Sequence, residues 1–154
     1  MIDELVKAWD KNKNNLEDCL RTTEQQEYNN YTKLIRLIFE KVINPYFEEL
    51  TRDDDFEYHY FKISKSFDLD HIAEIDNGDY QGTLIYIIPL NTYQPSIHEH
   101  LCIYVYYGSC SGCDTLLGIS NYDDGLPTEE QVREYMLLCL HMIQDAFWLK
   151  ERGE

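Results

Sequence analysis

Hydrophobic residues recur at helical spacing in the first third of the chain. The first twenty residues carry a partial apolar stripe, and residues 23 to 43 carry a clearer one, with apolar side chains three and four positions apart. Residues 1 to 52 are therefore predicted to be helical. Asn44 and Pro45 are predicted to stop or kink the second helix, because a residue before proline avoids the helical conformation. Residues 45 to 50 then form a short extra helix.

The middle of the chain changes to an extended pattern. Residues 56 to 64 alternate as in a strand, and residues 83 to 90 and 99 to 107 are dense in β-branched and aromatic side chains. The last two runs are predicted to be strands paired antiparallel, with Pro89 marking the end of the first. The loop between them is longer than a tight hairpin uses.

The most strongly patterned helix begins near residue 128. Thr128 and Gln131 have the spacing of a capping box, in which each side chain bonds the backbone N–H of the other residue. Glu129 and Glu130 suit the positive end of the helix dipole. Apolar residues then form a wide stripe as far as residue 149, so this helix is predicted to pack on the sheet.

The order of these elements, helices followed by strands and a final helix, defines an α+β fold. We expect N-terminal helices, a small antiparallel sheet and a long C-terminal helix packed on the sheet. The 154 residues favour a single domain, with a helical part over 1–52, a sheet and cysteine-bearing loop over 53–118, and the C-terminal helix over 128–150. Aromatic residues at 14% argue against a disordered chain.

The charge of the chain is its most unusual property. It has 29 Asp and Glu against 13 Lys and Arg, a formal net charge of -16 at pH 7. Phosphates and anionic lipids are bound by clustered cations, so we expect neither direct nucleic-acid binding nor membrane docking. No signal-peptide pattern is visible, no apolar run approaches about 20 residues, and the five cysteines are an odd number. These features predict reduced thiols in a cytoplasm.

The histidines and cysteines after residue 97 are the densest set of potential metal ligands. His98, His100 and Cys102 would share one face of a strand, and Cys110 and Cys113 form a CxxC pair further on. Zinc favours sulfur and imidazole nitrogen, so a structural zinc site is predicted from His100 and three cysteines, namely Cys102, Cys110 and Cys113. Alternatively, Cys102 is a buried apolar residue and both histidines lie on the surface. A thiol redox role is disfavoured, because no βαβ pattern surrounds the CxxC pair.

Acidic clusters and an aromatic stripe are further candidates. The densest acidic cluster contains Asp53, Asp54, Asp55 and Glu57. Such carboxylates suit a divalent cation or a two-metal nuclease, although a chain with this much acid also produces clusters that are only solvated surface. Tyr104 and Tyr106 belong to an aromatic stripe beside the cysteines, which is typical of a half-exposed sheet face or an interface.

One string of residues resembles a known family. The sequence YGSCSGCDTL at residues 107 to 116 is similar to a motif of small phage and prophage proteins from Gram-positive bacteria. The similarity extends over roughly residues 75 to 148 and leaves out the N-terminal helices. No activity is assigned to that family, so the resemblance implies a phage origin and a shared fold. Besides its two cysteines, the motif positions of interest are Gly108, Ser109, Asp114 and Thr115.

Together these features favour a binding protein over an enzyme. A small acidic phage protein can inhibit a host protein by placing carboxylates where nucleic-acid phosphates would lie, and tyrosines are common interface anchors. The expected partner is a host enzyme that handles nucleic acid, such as a CRISPR effector, a restriction enzyme or a polymerase. The expected contact residues are Asp53, Asp54, Asp55, Glu57, Tyr104 and Tyr106.

Three other interpretations stay open at this point. The first is an interaction module stabilised by its CxxC loop, with or without zinc. The second is a divalent-metal nuclease that uses one of the Asp pairs. The third concerns assembly, namely that the chain forms a homo-oligomer.

Overall fold

A computed structural model describes most of the chain. The described residues are 2–26, 30–51, 66–110, Gly112 and 114–153. Over this part the elements follow the predicted order of helices, sheet and final helix. Predictions on the strand at 56–64, on Asp53, Asp54, Asp55 and Glu57, and on Cys113 lie outside the described residues.

The N-terminal third is helical. Its elements are α1 (Ile2–Arg21), α2 (Tyr31–Ile38), a π-helical segment (Phe39–Ile43) and α3 (Asn44–Thr51). The apolar residues at three- and four-residue spacing lie in the core, as a helix with one buried face requires. On α1 these buried residues are Leu5, Ala8, Trp9, Leu16 and Leu20, and on α2 they are Tyr31, Leu34, Ile35 and Ile38.

Asn44 and Pro45 lie inside a continuous helical run. In place of the predicted stop or kink, the chain changes there from a π-helix to an α-helix. Pro45 has no N–H to donate to the preceding turn, and a π-helical turn comes directly before α3. Asn44 keeps a helical φ of -60° and ψ of -43°. Its side-chain amide donates to the Phe67 carbonyl at 3.1 Å and its side-chain oxygen accepts from the Phe67 N–H at 2.8 Å. These bonds tie the helical part to the segment that leads into the sheet.

Four strands form one antiparallel sheet in sequence order. They are β1 (Ala73–Gly78), β2 (Gly82–Pro89), β3 (His100–Tyr107) and β4 (Phe147–Trp148). β2 and β3 pair along their whole length, which confirms the predicted antiparallel pair. β4 pairs with only two residues of β3, Leu101 and Cys102.

Two further helices follow β3. α4 spans Thr115–Ser120 and α5 spans Glu129–Gln144. The predicted capping box is present, since Thr128 Oγ1 accepts from the Gln131 N–H at 3.2 Å and Gln131 Oε1 accepts from the Thr128 N–H at 2.9 Å. α5 contacts α1 and β3, so the fold is α+β with the C-terminal helix against the sheet. The helix ends at Gln144 and not near residue 150, because β4 follows it.

The sheet turns one face towards the helices. The buried side chains on this face are Leu84, Tyr86, Ile88, Leu101, Ile103, Val105 and Tyr107. They alternate along β2 and β3, so the residues between them point to the opposite face of the sheet.

Candidate protein-interaction face

Side chains from all four strands make up the opposite face of the sheet. This open sheet face consists of Ile75 on β1, Ile85 and Ile87 on β2, Cys102, Tyr104 and Tyr106 on β3, and Phe147 on β4. Ile75, Ile85 and Tyr104 lie opposite one another in one row across three strands. Ile87, Cys102 and Phe147 form a second row. Cys102 is buried between its neighbours, whereas the other members are half-buried or exposed.

Tyr104 lies at the centre of an aromatic cluster on this face. Its ring meets the Tyr106 ring edge-on with 5.9 Å between centroids, and it meets the tilted Phe147 ring at 6.4 Å. Such pairs are favourable beyond the area they bury. Tyr106 is nevertheless 70% exposed, Phe147 47% and Ile75 48%. Exposed apolar side chains that group on one face are typical of interaction surfaces.

Negative charge is concentrated in the part of the chain that contains the sheet. Residues 66 to 149 include 13 Asp and Glu but a single Lys or Arg, which is Arg133. Residues 1 to 51 include 10 acidic and 7 basic residues. Residues 66 to 149 therefore carry a large net negative charge, even when Lys150 and Arg152 directly after them are counted, and a net negative charge favours encounter with a basic partner.

Two carboxylates are held in place on the edge strand β1. The Tyr86 hydroxyl donates to Glu74 Oε1 at 2.8 Å, and the Tyr107 hydroxyl donates to Asp76 Oδ1 at 2.6 Å. Burial raises the pKa of Tyr86, so its hydroxyl keeps the proton that it donates. Every residue of β1 is exposed, and this edge of the sheet therefore presents oriented negative charge to solvent.

Asp114 of the YGSCSGCDTL motif is buried and organises the loop after β3. Its carboxylate accepts hydrogen bonds from the Tyr31 hydroxyl at 2.9 Å and from the N–H groups of Gly108 and Leu117, each at 3.0 Å. The bond from Leu117 caps α4. The Tyr31 hydroxyl also accepts from the Leu116 N–H at 3.2 Å, and burial raises the pKa of Tyr31. Asp114 thus joins α2, β3 and α4.

The cysteines are of two kinds. Cys19, Cys102 and Cys139 are free thiols, as predicted for reduced cysteines. Burial raises the pKa of Cys102 and Cys139, which keeps both as unreactive thiols. Cys110 is disulfide-bonded, contrary to the prediction of reduced thiols throughout. A disulfide sulfur is not the thiolate that zinc binds.

The structure does not bring His100 and Cys110 together. His100 begins β3, whose two ends lie roughly 20 Å apart, and Cys110 comes three residues after the far end. His98 lies in a short 3₁₀ turn before the strand and not on its face, and His100 Nδ1 lies 2.7 Å from the Ser96 carbonyl oxygen. Among the described residues no group of three or more His, Cys, Asp and Glu is placed to hold a metal.

Two of the acidic pairs include a carboxylate that supports the fold. Asp68 Oδ1 accepts from the Asp70 N–H at 3.0 Å, and Asp68 Oδ2 lies 2.6 Å from His71 Nδ1, as in a capped helical turn. Asp123 accepts from the Gln131 side-chain amide at 3.1 Å. Both acids are therefore tied to local structure rather than to a described metal site.

Sequence reasoning found the tyrosines of the open sheet face but missed the aliphatic and phenylalanine members. Ile85 and Ile87 belong to a run that looks buried on both sides. Phe147 falls within the apolar stripe of the C-terminal helix and was predicted to be helical. The missing signal is the cross-strand register, which joins residues distant in sequence.

Fold and face together define a class, namely an α+β protein with one open aromatic sheet face and segregated negative charge. No protein-family model, curated protein or solved structure matches the chain. In the described residues no helix is both long enough and apolar enough to cross a membrane. The functional conclusion therefore depends on the residues of this chain alone.

Proposed function

We propose that this protein binds another protein through the open sheet face. The observation that carries the proposal is the group of exposed Ile75, Tyr106 and Phe147 side chains around Tyr104 on one sheet. Sheet backbone holds these side chains in fixed positions, so little entropy is lost when a partner covers them. Tyrosine is enriched among the residues that dominate binding energy at interfaces.

The charge favours a partner with a basic surface. Residues 66 to 149, which carry the open sheet face, contain 13 Asp and Glu and a single Lys or Arg, and only Lys150 and Arg152 follow them. A positively charged protein is therefore attracted and an acidic one is repelled. Basic surfaces of this kind are typical of enzymes that bind nucleic acid. We therefore favour an inhibitor of phage type that acts in a bacterial cytoplasm, where its carboxylates compete with phosphates for a nucleic-acid-handling host enzyme.

The test is affinity capture followed by a measured dissociation constant. The immobilised protein is exposed to a Gram-positive lysate at low and high salt, and the captured protein is purified. We expect Tyr106→Ser to weaken its binding about tenfold or more, since an exposed anchor is removed. Salt should weaken binding as well, because the attraction between exposed charges is screened.

The matched control is Tyr93→Ser, because Tyr93 is 88% exposed but lies in the loop before β3 and outside the open sheet face. It should leave the dissociation constant unchanged. Equal losses for the two variants, or binding that ignores salt, would count against the proposal. Competition between the captured enzyme's nucleic acid and this protein then tests the inhibitory mode separately.

A further inference from the structure

The outer edge of β3 is covered only at its beginning. β4 pairs there through Trp148 opposite Leu101 and Phe147 opposite Cys102. Beyond Cys102, residues 103 to 106 of β3 have a partner on the β2 side but, among the described residues, no strand on the other side. Within the described part of the chain, these four residues of the strand therefore form a free edge.

The ladder geometry shows which backbone groups face this free edge. Leu149 N–H donates to the His100 carbonyl at 2.9 Å on the β4 side, and Leu90 N–H donates to the Glu99 carbonyl at 2.9 Å on the β2 side. Backbone groups alternate sides along an antiparallel strand. The N–H and C=O groups of Tyr104 and Tyr106 therefore point outwards, and within the described part of the chain they have no backbone partner.

Nothing in the sequence of this free stretch protects it. Natural edge strands are blocked by charged residues, proline or bulges, since unpaired backbone groups otherwise recruit another strand. The opposite edge, β1, follows this rule with Glu74 and Asp76. Residues 103 to 106 read IYVY and contain neither a charge nor a proline. Because the β1 edge carries charges and this stretch of β3 does not, the stretch of β3 is suited to pair with an added strand.

A groove runs beside the free edge. A cleft of about 140 Å³ lies between β3 and the end of α5, and its lining includes Tyr104, Tyr106, Leu138, His141 and Asp145. A second cleft of about 390 Å³ shares Leu138 and His141 with the first and continues along α5 to Glu134 and Leu137. The combined groove is lined mainly by apolar side chains, with Thr115 and His141 shared by both clefts, and has an acidic residue towards each end.

We propose that this groove binds an extended segment of a partner protein, rich in Lys or Arg, as an added strand beside β4. The backbone of the segment pairs with Tyr104 and Tyr106, alternate apolar side chains contact Leu138 and the groove floor, and basic side chains meet Asp145 and Glu134. This inference rests on the proposed function and names the partner's binding element. A second copy of the chain is disfavoured as the occupant, because two molecules of charge -16 repel each other.

The experiment uses a capped synthetic peptide of about eight residues in which Lys alternates with Val. Titration of the ¹⁵N-labelled protein with this peptide should slow amide hydrogen exchange at Tyr104 and Tyr106 by about tenfold or more, because both N–H groups become hydrogen-bonded. A peptide with Glu in place of Lys should bind at least about tenfold more weakly. Alternate amides of the peptide strand face opposite sides, so every second amide can be N-methylated in two ways. Methylation of the amides that face β3 should abolish binding, and methylation of those that face away should leave binding intact.

Two substitutions at one position separate backbone pairing from side-chain contact. Tyr106→Pro removes the outward N–H while the β2 ladder keeps all its donors, and Tyr106→Val keeps that N–H in a residue suited to strands. Peptide binding should survive in the valine variant and fall about tenfold or more in the proline variant. A thermal melt of each variant confirms that the fold is intact.

The outcomes distinguish this inference from the proposed function. Unchanged exchange at Tyr104 and Tyr106 with saturating peptide, or equal peptide binding by both Tyr106 variants, overturns strand addition. If strand addition is overturned but binding of the captured partner still depends on the Tyr106 side chain, the proposed binding through the open sheet face stands without strand addition. A dimer in light scattering whose formation protects the same two amides would overturn the inference in favour of self-pairing.

Discussion

At the scale of single residues, the buried carboxylate of Asp114 accepts three hydrogen bonds. The donors come from separate parts of the chain, namely Tyr31, Gly108 and Leu117. Replacing the buried acceptor removes one hydrogen bond from each of these donors, and each lost bond costs free energy. The motif residue is therefore expected to matter for stability whatever the protein binds.

Asp114→Ala should lower the free energy of unfolding by about 3 kcal/mol, because it removes three buried hydrogen bonds and the cap of α4. Urea unfolding followed by circular dichroism measures the loss. Tyr31→Phe removes the donor to Asp114 and the acceptor of the Leu116 N–H, so it should cost about 2 kcal/mol. If both variants unfold at the wild-type midpoint while the fold is intact, Asp114 does not hold the loop.

The sequence predicted the contacts of single residues correctly where the interacting residues are close together in the chain. The Thr128 and Gln131 capping box formed as predicted, because both partners lie within one helical turn. The common face of Tyr104 and Tyr106 follows from strand alternation alone. The role of Asp114 was not predictable in this way, since its partner Tyr31 lies 83 positions away. The zinc site stays a prediction, because Cys113 lies outside the described residues, and the length of β3 separates two of its other ligands, His100 and Cys110.

At the scale of elements, the C-terminal end of the fold shows how tertiary pairing overrides helical pattern. Apolar spacing continues to residue 149, yet α5 ends at Gln144 and Phe147 and Trp148 form β4. Pairing with β3 satisfies backbone groups of this segment, and the Trp148 ring stacks on Phe67 with 5.9 Å between centroids. Neither partner is visible in a local window of sequence.

The two residues of β4 face opposite sides of the sheet, so they should respond differently to truncation. Trp148→Ala should lower the free energy of unfolding by about 2 kcal/mol, because a half-buried ring that packs on Phe67 is lost. Phe147→Ala should cost about 0.5 kcal/mol, since that side chain is 47% exposed.

Urea midpoints of the two β4 variants provide the comparison, with Trp148→Phe as the control that keeps an aromatic ring against Phe67. The control should retain most of the stability, all the more because the Trp148 Nε1 atom is buried and has no hydrogen-bond partner among the described residues. Equal losses from Phe147→Ala and Trp148→Ala would mean that the two faces of the sheet are not distinct.

At the scale of the whole molecule, the placement of charge matters more than its total. The net charge of -16 was evident from composition, but its concentration around the sheet acquires meaning only with the fold. α1 carries most of its own compensation, for example where Arg21 pairs with Glu17 at 3.0 Å and with Asp18 at 2.9 Å. Residues 66 to 149 contain 13 acidic residues and a single Arg, so the carboxylates of this segment repel one another.

This imbalance predicts that salt stabilises the protein. Raising NaCl from about 10 mM to about 150 mM shortens the screening length from about 30 Å to about 8 Å and weakens repulsion among the acids around the sheet. The melting temperature should rise. Asp124→Asn, in the acidic region, should itself stabilise the protein at low salt by about 0.3 kcal/mol and flatten the salt dependence. Asp10→Asn, on a helix that also carries Lys7, Lys11 and Lys13, should do neither. The same response from both variants would mean that the repulsion is spread over the whole surface and not concentrated around the sheet. Charge would then no longer favour a basic partner at the open sheet face.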